Sequence, residues 1–129
     1  MLTADSFDLT NGAVVLRLVC ALFFVPHMYF KMIGDPPPAS KTFIDAGYPN
    51  PLLWVRIALV VELIASVLLF LDIYTQYVAL LCASVLLVAT ASVFYANDKE
   101  WIWLWPKGGI EYPLFWALAC IALSQLYWV

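Results

Sequence analysis

The sequence predicts an all-α integral membrane protein folded as a four-helix bundle. Three observations carry that prediction. Hydrophobic residues fill 65% of the 129 positions, and charged residues only 12%, about half the share usual in a soluble domain. Mean hydropathy is +0.92. Four apolar stretches, at residues 12–33, 52–71, 73–96 and 110–129, each approach the roughly 20 residues that cross a ~30 Å hydrocarbon core as a helix. A soluble domain of this size has too little interior to hide so much apolar surface. A soluble enzyme and a disordered tail are thereby excluded. With a net charge of −3 there is no basic patch for nucleic acid.

The elements follow in order. The N-terminal residues carry Asp5 and Asp8 but no basic residue before Arg17, unlike a secretory signal with its basic start. The first stretch, 12–33, leads into a link from Asp35 to Pro51. That link holds Pro36, Pro37, Pro38, Pro49 and Pro51, and is expected to contain no regular helix. The second and third stretches are separated only by Asp72-Ile73-Tyr74-Thr75, so they should form an antiparallel hairpin. The third contains no charged residue. The last link carries Trp101, Trp103 and Trp105 before Pro106, Gly108 and Gly109, and is expected to lie in the headgroup region, where Trp is enriched. Pro113 sits in the first turn of the fourth helix, where its missing N–H costs little. Helices are required because lipid satisfies no free backbone group. The runs do not alternate as barrel strands do. The whole chain, 1–129, reads as a single transmembrane domain.

Lys31, Lys41, Arg56, Lys99 and Lys107 lie in or beside the first and third links. The positive-inside rule then makes those links cytoplasmic and both termini external. Cys20, Cys82 and Cys120 stand singly inside apolar runs and read as small buried hydrophobes. One His and three scattered Cys make no convincing metal site, so no metal is expected.

Ionisable groups deep in a bilayer cost roughly 2.5–3.5 kcal/mol each on insertion scales, and normally face the bundle interior with partners. Arg17 and Glu62 are the two deep ones. A depth count along antiparallel helices places them about 7 Å apart in level, and the expectation is that they pair, as glue or as a polar site. A second cluster lies toward the first link. His27 and Lys31 share a helix face, Arg56 lies one turn into the second helix, and Glu111 and Tyr112 open the fourth. These residues either meet the headgroups or line a mouth suited to an anionic or quinone-like head group. No Walker loop, GxSxG, HExxH or GxGxxG motif occurs. The catalytic residues, if any, are unknown from sequence.

These residues resemble the DoxX family of small four-helix membrane proteins. LRLVCALFFVPHMYFKM is similar to the family's opening helix, with Arg17 early and His27 and Lys31 late. FIDAGYPNP resembles the Gly-x-Pro segment, here Gly47 and Pro49. VVELIASVLLFLDIYTQ resembles the second helix, with Glu62 as its acidic residue, and GGIEYPLFWAL the start of the fourth. Met28, Ser66 and Asp72 stand where the family usually has glycine, Gln76 where it has a basic residue, and Phe94 and Tyr95 near its third-helix His. The resemblance implies a membrane-embedded, redox-associated protein. Members are linked to thiosulfate:quinone oxidoreductase, to terminal quinol oxidase complexes and to oxidative-stress complexes. The expected function is an accessory subunit of a larger quinone-linked membrane complex in a prokaryotic cytoplasmic membrane. No cofactor is expected within the chain itself; a quinone or lipid at the bundle edge is the candidate ligand. The alternatives are a stand-alone thiosulfate/quinone oxidoreductase or small-anion transporter, and a structural or trafficking protein like the distantly similar surfeit-locus cargo receptors.

Overall fold

A computed structural model of the chain describes residues 2–34, 36–97 and 110–128; helix covers 77% of them and no strand occurs among them. A 3-10 turn, Ala4–Phe7, precedes α1 (Gly12–Leu22). Asn11 caps α1 by accepting the Ala13 N–H at 3.0 Å, as short polar side chains do at helix starts. After a break at Phe23, α2 (Phe24–Met32) continues the span. Pro26 accounts for the break: it has no N–H to give the Leu22 carbonyl, and its ring crowds that carbonyl. The first crossing is therefore two short helices, not one straight helix over 12–33.

The proline-rich link also departs from expectation. Its proline-free interval forms α3 (Ser40–Asp45), started by Ser40 Oγ donating to the Pro37 carbonyl at 2.6 Å. The remaining helices are α4 (Pro51–Phe70), with proline in its first turn, α5 (Thr75–Ala96) and α6 (Glu111–Leu126). Among the described residues, three spans are long and apolar enough to cross a membrane: Gly12–Met32, Pro51–Phe70 and Thr75–Ala96. With 16 residues, α6 extends only about 24 Å. Trp101, Trp103, Trp105, Lys99 and Lys107 lie outside the described residues.

Each long helix packs on its sequence neighbour, and α6 returns to α1, which closes a four-membered ring. The short link between α4 and α5 makes the expected hairpin. The most extensive pair is α5 with α6, where Ala79, Cys82, Ala83, Ala117 and Cys120 are all buried. Small residues let helix backbones approach closely, the main source of helix attraction where lipid is the solvent. All three cysteines are free and buried, as expected. The outside is as apolar as the inside: Val60, Leu63, Ile64 and Val67 on α4 are half exposed. Only about a third of each span's most apolar window is buried within the bundle, which leaves a broad apolar surface for lipid. The protein is an integral membrane helical bundle.

Candidate functional site

Two polar centres occupy opposite ends of the bundle. The end carrying the α4–α5 turn is here the turn end; the end carrying α3 is the link end.

At the turn end, the α4 terminus closes as a Schellman motif. The Ile73 N–H donates to the Leu68 carbonyl at 2.9 Å, and the Asp72 N–H to the Leu69 carbonyl at 3.2 Å. The motif puts Asp72 in the left-handed region at φ 56, which Asp tolerates better than most residues but less well than glycine. Asp72 is buried. Its carboxylate accepts from Ser6 Oγ at 2.8 Å and from Thr75 Oγ1 at 2.6 Å, and Arg17 Nη1 lies 3.8 Å away. Arg17 is fully buried. It also donates to Tyr127 Oη at 3.0 Å, to the Phe70 carbonyl at 3.3 Å and to the Ser6 carbonyl. Its guanidinium sits 5.6 Å from the Phe7 ring centroid and 5.8 Å from that of Tyr127. One side chain thus ties the N-terminal turn, α1, the end of α4 and the residue after α6.

At the link end, Lys31 Nζ meets Glu62 at 3.2 Å to Oε1 and 3.1 Å to Oε2, with both side chains about nine-tenths buried. This corrects the expected Arg17–Glu62 pair. Helical Cα–Cβ bonds tilt toward the helix N-terminus. Arg17 therefore leans toward the start of α1 and the turn end, while Glu62 leans toward the start of α4 and the link end. Lys31, late in α2, leans inward to meet it. The depth count ignored the lean.

The Lys31–Glu62 pair borders a cavity of about 1050 Å³. Its walls are largely apolar, with Ile57, Val61, Val85 and Val88 among them, and its polar groups include His27, Glu111, Tyr112, Tyr48 and Ser92. From the link, Tyr48 Oη bonds Ser92 Oγ at 2.6 Å, and the Tyr48 ring packs edge-on against Phe43 and Trp54. His27 stacks on Tyr112, with centroids 5.6 Å apart, and lies 5.1 Å from Trp116. Among the described residues, Glu111 Oε2 and Trp116 Nε1 are buried with no hydrogen-bond partner, an arrangement that normally calls for an occupant or a cost. The expected cluster is thus assembled for His27, Lys31, Glu111 and Tyr112. Arg56 does not join it: it is exposed and does not line the cavity. It lies next to the buried Val55, one position off the face that α4 turns inward.

Sequence reasoning missed Asp72, Ser6 and Tyr127 at one end and Tyr48 and Ser92 at the other. Asp72 had a signal: it is the acidic residue of a tight turn on the same side of the bundle as Arg17.

The DoxX family model matches residues 12–95, from the start of α1 to the last turn of α5. The chain belongs to the DoxX family. No significant match was found among curated proteins or among solved structures. The DoxX match takes in Arg17, His27, Lys31, Glu62 and Asp72, but stops before α6. Glu111 and Tyr112, outside the matched range, line the same cavity from the start of α6. Asp72 occupies a position with a positive φ, a conformation that glycine adopts at no steric cost.

Proposed function

We propose that this protein is a small subunit of a quinone-linked membrane redox complex, and that the link-end cavity receives the quinone head group. The observation that carries this reading is the cavity: apolar walls around a few convergent polar groups, the usual make-up of a small-molecule site. A quinone ring is flat and apolar with two acceptor carbonyls. Lys31 and His27 offer donors to such carbonyls, and Tyr112 an aromatic face. DoxX membership supports a membrane redox setting. The sequence has no nucleotide- or flavin-binding motif, so electrons would come from a larger partner complex. On this reading the protein sits in a prokaryotic cytoplasmic membrane with the first and third links cytoplasmic.

The charge of the cavity disfavours a site for a free anion such as thiosulfate. Lys31 is neutralised by Glu62, Glu111 adds a second carboxylate, and Arg56 is elsewhere. Titration of the purified protein in lipid nanodiscs with a short-chain ubiquinone tests the reading. Saturable quenching of tryptophan fluorescence is expected, weakened by Lys31→Met. A wild-type protein that shows no saturable binding sinks it. Recovery of the protein from native membranes without a co-purifying redox subunit sinks the accessory role.

A further inference from the structure

A second cavity, of about 500 Å³, lies between α1 and α6. It is lined by Leu16, Val19 and Cys20 on α1 and by Phe23 just after it, spaced i, i+3, i+4 and i+7, which is the spacing of one helix face. Tyr112, Phe115, Trp116 and Ala119 repeat that spacing on α6. Two facing stripes thus make a groove parallel to the helix axes. Seven residues of rise give it a length of about 10 Å. Apart from the Glu111 and Tyr112 end, its lining is apolar, and Phe23 and Phe115 leave it open toward lipid at 45% and 76% exposure.

The groove adjoins the head-group cavity at a shared rim. Glu111 and Tyr112 line both, and the stacked His27, Tyr112 and Trp116 form the wall between them. Because α6 begins at the link end, the groove starts at this polar shelf and runs toward the bilayer middle. That is the course a lipid chain takes when its head is held at the shelf.

We propose that the α1–α6 groove holds the isoprenoid tail of the ligand whose head occupies the link-end cavity, so that the site selects a long-tailed lipid quinone. The inference rests on the quinone reading above. A tail in lipid gains little from the hydrophobic effect, so selection comes from close packing against the two stripes. Phe115, Leu118 and Phe23, the most exposed residues of the lining, supply most of that contact area.

The test uses the full chain in phosphatidylcholine nanodiscs and a ubiquinone analogue with a diazirine in its first isoprene unit. After illumination, mass spectrometry should place the label on residues 16–23 and 114–119. Labelling there should be about tenfold above that on the lipid-facing Val60, Leu63, Ile64 and Val67 of α4, and an excess of a tailless benzoquinone should remove it. Even labelling of all lipid-facing helices, with head-group binding intact, overturns the tail site and leaves the quinone reading standing. Absence of head-group binding overturns both.

Discussion

Arg17 and Asp72 form the buried charge pair of the turn end, 3.8 Å apart, and between them they hold Ser6, Phe70, Thr75 and Tyr127. Removing one partner of such a pair strands the other, which typically costs about 3–5 kcal/mol. Arg17→Met is therefore expected to lower stability by about that amount in thermal unfolding followed by tryptophan fluorescence. The double variant Arg17→Met/Asp72→Asn should recover most of the loss. Simple additivity of the two single losses would show that they do not act as a pair.

The backbone at Asp72 gives a separate prediction. At φ 56 a glycine relieves roughly 1 kcal/mol of left-handed strain. Once the charge of Arg17 is gone, the carboxylate has lost its main purpose. In the Arg17→Met background, Asp72→Gly should then be about 1 kcal/mol more stable than Asp72→Ala, measured in the same unfolding assay.

Lys31 and Glu62 should matter to binding more than to assembly. Glu62→Gln and Lys31→Met are each expected to weaken short-chain ubiquinone binding at least tenfold, about 1.4 kcal/mol. The pair variant Lys31→Met/Glu62→Leu removes both charges, so stability should return while affinity does not. Restored affinity in the pair variant would assign the ion pair to helix packing alone.

Tyr48 latches the link onto α5 through Ser92 at 2.6 Å. Tyr48→Phe keeps the ring contacts and deletes one hydrogen bond, worth about 1 kcal/mol. Amide hydrogen exchange over Ser40–Asp45 should speed up several-fold, with little change in the protection of α5 and α6.

Arg56 provides the contrast. It is exposed and outside the cavity, so Arg56→Gln should leave stability within about 0.5 kcal/mol and quinone affinity unchanged. A tenfold loss of affinity would place it in the site after all.

Hydropathy and turn chemistry made the bundle legible, because span length and the short 72–75 link are local properties of the chain. The inward position of Arg17 and Glu62 was legible too, since the bilayer tolerates neither outside. Their partners were not. Pairing depends on which way a side chain leans and on how α2 turns after Pro26, and neither shows in a residue count. Arg56 was misplaced for a similar reason: α4 is apolar on every side, so its hydrophobic pattern does not say which face turns inward. Glu111 and Tyr112 could be placed because Gly108, Gly109 and Pro113 mark the start of α6.

Between the two polar ends lies a dry layer, formed by Cys20, Leu69, Cys82, Cys120 and Leu123, none more than 2% exposed. Beyond it, the guanidinium network stoppers the turn end. Among the described residues the bundle is closed at the turn end. On the quinone reading, a proton taken up at Glu62 or His27 would return through the link end. On the same reading, turnover at this site would exchange its protons on one face of the membrane.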